Sequence, residues 1–320
     1  MPAATAFLFP GQGAQYVGMG MGLAGTFPVA ACTFREADAA FQRAGHAGSG
    51  SLSHLVFHGP EDALTLTEHA QPAILTTSIA AWRVLTEKGI TPDYVAGHSL
   101  GEYSANVAAG TLGFEDAVAI VRQRGQLMQS AVPVGTGAMA AILGAHVDVV
   151  AQACEESRAG EIVSPANINA PGQVVIAGHR EAVERAIALA KQKGAKRGVL
   201  LPVSAPFHSS LLKPAADKLA ARLAQVTFAP PVIPVIHNVD VTEHSAPDAI
   251  RAALAQQAAS PVRWTATVQH MAALGVTHVV ECGPGRVLAG MNKRIADSIE
   301  AFALIDSDAI NETLAALKGA

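Results

Sequence analysis

The chain has little with which to cross-link, anchor or charge itself. Its 320 residues include three cysteines, Cys32, Cys154 and Cys282, widely spaced, odd in number and without a Cys-x-x-Cys pair. A disulfide framework and a structural zinc site are therefore excluded, and a reducing, cytoplasmic setting is expected. Charged residues make up only 15% and aromatics 5%, and the net charge is −4, so the basic footprint of a nucleic-acid-binding protein is missing. No basic segment precedes the apolar run within Met1–Pro10, which does not read as a signal peptide. Mean hydropathy is positive, yet the longest uncharged stretch, 125–147, contains Gln126, Gln129, Pro133, Gly135 and Gly137 early on. That composition makes a turn and not a spanning helix, so no membrane association is expected.

What is present is apolar and glycine-rich: half the residues are hydrophobic and 29 are glycine, enough for a sizeable core. Ala6–Phe9 reads as a buried strand closed by Pro10-Gly11-Gln12-Gly13. A helix follows from Gln71 to Lys88, then a strand at Tyr94-Val95-Ala96, a turn at Ser99, a helix carrying Tyr103 and Val107, and another helix over 114–131. Strands alternating with helices imply an α/β fold with a mostly parallel sheet. From Gly137 the order changes to β-α-β-β-α-β: strands at 138–143, 161–164, 173–177 and 197–203, and helices at 147–158 and 181–193. Residues 167–172, Asn-Ile-Asn-Ala-Pro-Gly, read as a turn between the second and third of these strands. This is a ferredoxin-like unit. The expected domains are a large α/β-hydrolase-like one, 1–132 with 207–320, and a small inserted one, 133–206. After the insertion a helix is expected over 211–225, with strands near 232–236, 278–281 and 302–305.

Gly97-His98-Ser99-Leu100-Gly101, between a strand and a helix, has the pattern of a nucleophile elbow. The flanking glycines leave room for a sharp turn that exposes the serine. The N–H of Leu100 then opens the next helix and aims at any oxyanion formed on the serine's acyl group. A nucleophilic serine needs a base, and His208, after Pro206-Phe207 where the chain returns from the insertion, is the candidate among twelve histidines. His98, adjacent to the serine, is expected to point away across the turn and pack. On the helix from Phe114, Arg124 falls at the centre of the stripe formed by Ala117, Ile120, Val121, Leu127 and Met128, with Arg122 on the opposite, solvated side. A guanidinium in an apolar stripe snorkels to the edge, pairs with an internal acid, or meets an anion from the substrate.

Phe9-Pro10-Gly11-Gln12-Gly13-Ala14-Gln15, Gln71-Pro72-Ala73, Gly97–Glu102, Gly137-Ala138-Met139, Pro206-Phe207-His208-Ser209 and Gly283-Pro284-Gly285 occur in that order. Together they resemble the bacterial malonyl-CoA:acyl carrier protein transacylases, relatives of the acyltransferase domains of polyketide synthases, over nearly the whole chain. The resemblance implies that Ser99 takes malonyl from malonyl-CoA as an ester, with His208 as base, and passes it to the phosphopantetheine thiol of acyl carrier protein in a ping-pong cycle. It makes the N–H groups of Leu100 and Gln12 the oxyanion hole, and the backbone carbonyl of Gln257, or of Gln256 if the register shifts by one, the support for His208. Arg124 becomes the clamp on the malonyl carboxylate. Phe207 either favours malonyl over branched units or packs the domain hinge; Gln71, Asn167 and the Gln12 side chain either line the acyl path or shape loops. No cofactor or metal is implied, and nothing demands more than a monomer.

Fatty acid synthesis is the expected pathway, with polyketide assembly or malonate decarboxylation as alternatives. An α/β serine hydrolase is the rival chemistry; it would need an acid after the serine, where Asp116 and Asp148 come first but not at strand ends. A non-catalytic docking module is the other rival. An acidic carrier protein calls for a basic rim, for which Lys196, Arg197, Arg286, Lys293 and Arg294 are candidates.

Overall fold

A strand covered on both faces has no polar side to present to solvent, and β1 (Ala4–Phe9) shows this, with Ala6 through Phe9 fully buried. The structure is a computed structural model that describes residues 4–45, 50–133, 135–203 and 205–319. After β1 come α1 (Met21–Thr26), α2 (Pro28–Arg43), α3 (Leu52–His58), α4 (Glu61–Thr65), α5 (Thr67–Glu87), β2 (Tyr94–Gly97), α6 (Gly101–Ala108) and α7 (Phe114–Gln129). The next segment holds β3 (Gly137–Leu143), α8 (Val147–Glu156), β4 (Val163–Ala170), β5 (Gln173–His179), α9 (Arg180–Gln192) and β6 (Arg197–Leu200). The chain then runs through α10 (Lys213–Leu223), β7 (Val235–Ile236), α11 (Pro247–Gln257), α12 (Trp264–Ala273), β8 (Val276–Glu281), α13 (Val287–Ile295), β9 (Glu300–Ala303) and α14 (Ser307–Gly319).

Two sheets result. The larger has the order β7-β2-β1-β8-β9 with every pair parallel. Its registers align Phe9 of β1 with Gly97 of β2, so the loop after β1 and the turn after β2 emerge side by side at the carboxyl edge. The smaller is antiparallel throughout, in the order β4-β5-β3-β6, which is the ferredoxin-like order expected from the sequence. Its two faces follow the period of two. Ala138, Ala140, Ile142, Val174 and Ile176 pack with α8 and α9, whereas Met139, Val175 and Ala177 join Met128, Phe207 and Leu212 on the side towards the larger sheet.

Three sequence expectations change. Helices α1 to α4 had not been read, although α2 buries Ala30, Thr33, Phe34, Ala37, Ala40 and Phe41 at helical spacing. Helix α5 starts at Thr67, about one turn before the expected Gln71, and runs through Pro72 while packed against α2 and α7. Most of 167–172 is strand: β4 extends to Ala170, with register shifts against β5, and only Pro171-Gly172 turns. Asn167 and Asn169 suggested a loop, but β4 is an edge strand that also bridges to Val262, through Ile168 N–H to the Val262 carbonyl at 2.9 Å. No helix of the described residues is long and apolar enough to cross a membrane. Cys32, Cys154 and Cys282 are free, the first exposed and the other two buried.

Candidate active site

The elbow is built by exclusion of side chains. A Cβ on Gly97 would lie 1.9 Å from the carbonyl carbon of Gly101, and one on Gly101 would lie 1.9 Å from the carbonyl oxygen of Phe9. Across the same gap, a Cβ on Gly11 would sit 2.4 Å from the His98 carbonyl oxygen, so the Pro10–Gly13 loop closes directly on the elbow. Ser99 itself has φ 53°, a left-handed conformation costing a non-glycine residue about 1–3 kcal/mol. Partners on both sides hold it there: Ser99 N–H donates to Asn238 Oδ1 at 2.8 Å, and the Ser99 carbonyl accepts from Gln257 Nε2 at 2.8 Å.

His208 also has a positive φ, 60°, in a turn tied by Ser209 Oγ donating to the Pro206 carbonyl. Its Nε2 lies 2.7 Å from Ser99 Oγ and its Nδ1 lies 2.9 Å from the Gln257 carbonyl oxygen. A carbonyl only accepts, so Nδ1 carries the proton and Nε2 presents its lone pair to the serine hydroxyl. Burial, and then the positive charge of Arg124, push the His208 pKa down to about 3. The imidazole is therefore neutral at neutral pH, ready to accept a proton.

Arg124 is 2% exposed. A Cβ on Gly125 would lie 2.6 Å from the Thr67 carbonyl oxygen, so the glycine lets α7 settle against α5 and brings Arg124 up to Gln71. Nη1 donates to Gln71 Oε1 at 2.7 Å; Nη2 donates to Gln257 Oε1 at 2.7 Å and to Ser99 Oγ at 3.1 Å. The guanidinium carbon stands 5.4 Å from the Tyr103 ring centroid. Among the described residues no carboxylate lies within ion-pair distance of it. Arg122 departs from expectation: it is buried, not solvated, with Nη1 on the Ala44 carbonyl and its guanidinium over the Phe41 ring. Helices α2 and α7 pack together, and α2 was the element the sequence reading lacked.

Ser99, His208 and Arg124 line one cavity of about 750 Å³ between the two sheets, with Gln12, Asn167, Phe207 and Met139 in its wall. Gln71 does not line it; its amide bonds Arg124 and Thr67 Oγ1, and Thr67 Oγ1 donates to the Gln12 side chain. Phe207 both packs, with Leu212 and Ala215, and faces the cavity. His98 does not turn away. It packs against Trp264, but its Nε2 is 2.8 Å from Asn169 Oδ1 and both residues line the cavity. Lys196, Arg197, Arg286, Lys293 and Arg294 are all exposed, and Arg294 donates to the Pro171 carbonyl and Gln173. The sequence reading also missed Glu102, His237, Asn238 and Asn169. Glu102, the sixth residue of the elbow motif, carried a visible signal as the only charged residue of α6; the others lay in segments without pattern.

A parallel α/β sheet with a serine on a strained strand-to-helix turn and a histidine on that serine places the chain among the serine-elbow enzymes. It belongs to the acyl transferase domain family, whose model matches residues 6–314. It is 53% identical over 310 residues to the malonyl CoA-acyl carrier protein transacylase of Escherichia coli K12, covering 97% of this chain and 98% of that one. With the protein of the same name from Bacillus subtilis 168 it shares 46% identity, covering 98% and 97%. Among solved structures, an acyl carrier protein S-malonyltransferase from Vibrio cholerae O1 superposes with a TM-score of 0.94 at 49% identity, covering 97% of this chain and all of that one. A malonyl-transacylase in complex with a type II PKS acyl-carrier protein superposes with a TM-score of 0.94 at 48% identity, covering 98% and 99%.

Proposed function

We propose that this chain moves malonyl from malonyl-CoA to the phosphopantetheine thiol of acyl carrier protein, through an ester on Ser99, in fatty acid synthesis. The observation that carries this reading is Arg124: a buried cation 3.1 Å from the Ser99 hydroxyl that faces neutral amides and no carboxylate among the described residues. A dicarboxylate half-ester brings the anion such a cation needs.

In the first half-reaction Ser99 Oγ attacks the thioester carbonyl while His208 Nε2 takes its proton. The N–H groups of Leu100 and Gln12 receive the oxyanion; the Pro10–Gly13 loop lies against the elbow as this requires. Collapse breaks the C–S bond, and His208 returns the proton to the departing thiolate. In the second half the carrier thiol gives its proton to His208 and attacks the malonyl ester, and Ser99 leaves with that proton. Gln257, through its backbone carbonyl, keeps the imidazole in the required tautomer throughout. The malonyl carboxylate, once paired with Arg124, cancels the positive charge that is the second cause of the low His208 pKa, so substrate itself makes the base stronger. We assign 1–132 with 207–320 to the catalytic domain and 133–206 to a small domain that roofs the cavity.

A hydrolase would orient its histidine with a carboxylate. Here a carbonyl stands at His208 Nδ1, and Asp116 and Asp148 are exposed. The reading is tested by mass spectrometry of the intact protein after exposure to malonyl-CoA. A malonyl adduct is expected on Ser99, absent in Ser99→Ala and discharged by carrier protein; release of free malonate that carrier protein does not suppress would favour the hydrolase.

A further inference from the structure

Arg124 and Ser99 are both gripped by one side chain, Gln257, and that side chain is itself oriented from behind. Its Oε1 accepts from Arg124 Nη2, while its Nε2 donates both hydrogens, one to the Ser99 carbonyl at 2.8 Å and one to Glu102 Oε2 at 2.7 Å. An amide has two orientations, and only one offers an oxygen to the donor-only guanidinium. Glu102 favours that orientation, because its carboxylate only accepts.

Glu102 is fully buried in the first turn of α6, three residues after Ser99. Three donors converge on it. His237 Nδ1 lies 2.6 Å from Oε1, and Asn238 N–H donates to Oε2 at 3.2 Å beside Gln257 Nε2. The other ring nitrogen of His237, Nε2, is buried without a hydrogen-bond partner, as expected of an imidazole whose proton sits on Nδ1 facing the carboxylate. A buried carboxylate thus stands one amide away from a buried guanidinium, joined to it by hydrogen bonds through Gln257.

We propose that Glu102 is a positioning residue that, through the Gln257 amide, keeps Arg124 aimed at the acyl group, and so sets the preference for an acyl chain ending in a carboxylate. This rests on the malonyl-transfer reading above. Glu102 touches neither substrate nor the reacting atoms. Its direct contact with Gln257 and Asn238, both bonded to the elbow backbone, makes a purely supportive role the competing explanation, and acyl selectivity separates the two.

The experiment compares kcat/KM for malonyl-CoA and acetyl-CoA in the full-length enzyme and in Glu102→Gln, Glu102→Asp, Gln257→Met and the Glu102→Gln/Gln257→Met pair. The first removes the charge, the second keeps it but withdraws it from Gln257, and the third breaks the relay while leaving the backbone carbonyl on His208. Each single substitution is expected to lower the malonyl-to-acetyl ratio by about tenfold, the size of one hydrogen bond to a charged group. The pair is expected to fall no further than Gln257→Met alone, because both act along one path. A parallel loss with both substrates, an unchanged ratio in the folded Glu102 variants, or additive losses in the pair would overturn the proposal. A wild-type enzyme without preference for malonyl would instead overturn the functional reading on which it rests.

Discussion

Helix α7 buries an arginine on each of two faces, and the two are buried for different reasons. On the face towards α2, Arg122 ends on a backbone carbonyl and lies across the Phe41 ring. Its aliphatic stem covers apolar surface, and its charge is met by the local structure. On the face towards α5, Arg124 reaches two side-chain amides, the Tyr103 ring and the Ser99 hydroxyl, at the wall of a cavity. Burial of a cation is therefore not by itself a sign of function. What marks Arg124 is its place at the cavity wall, within hydrogen-bond reach of a strained serine.

The contrast can be broken most directly at Arg124. Arg124→Ala should reduce kcat/KM for malonyl-CoA on the order of a hundredfold or more, as expected when one partner of a buried charge pair worth about 2–5 kcal/mol is removed. Transfer from acetyl-CoA should be kept or raised. Arg124→Lys should recover little of the malonyl activity, because an ammonium lacks the planar fork. Equal losses with both acyl groups would mean that the two arginines do not differ as argued.

A second effect appears in the pH profile. With His208 held at about 3, the acid limb of kcat/KM for acetyl-CoA should lie far below the imidazole's ordinary value of 6.5. Arg124→Ala removes the second cause of that depression and should move the limb upward; a limb that stays in place would show that Arg124 exerts no field on the base. The same shift bears on folding. A histidine depressed in the folded state contributes fully above its unfolded value near 6.5, and that contribution is lost as pH falls towards about 3. The smallest effect is expected at Arg122. Arg122→Ala should cost about 1–2 kcal/mol of stability, for one hydrogen bond and one cation–π contact, and leave the malonyl-to-acetyl ratio unchanged. A changed ratio would erase the distinction between the two faces.

Features that depend on short stretches of chain were readable before the fold was known. The elbow needs only Gly97, Ser99 and Gly101 in five residues, the ferredoxin-like order follows from alternating periods, and the place of Arg124 in an apolar stripe follows from one helix. Arg122 was misjudged for a related reason: one helix defines directions, but what covers each direction is decided by others, here α2. His208 stood out by its place where the chain returns from the insertion, although it lies 109 residues from its serine; the roles of Gln12 and Gln257 came from family resemblance alone. Nothing local connects Glu102 to His237, 135 residues on, or to Gln257, 155 residues on. Such links exist only once parallel strands have gathered their carboxyl ends at one edge.

The central claim is that the buried guanidinium turns an acyl-serine enzyme into a malonyl-serine one. Its most direct measurement is competitive acylation: the enzyme is exposed briefly to equal amounts of malonyl-, methylmalonyl- and acetyl-CoA, and the acyl group on Ser99 is identified by mass spectrometry. The account predicts malonyl on Ser99 in the wild-type enzyme and loss of that preference in Arg124→Ala. Acetyl accumulating on wild-type Ser99 as readily as malonyl, or malonyl still preferred in Arg124→Ala, would contradict it.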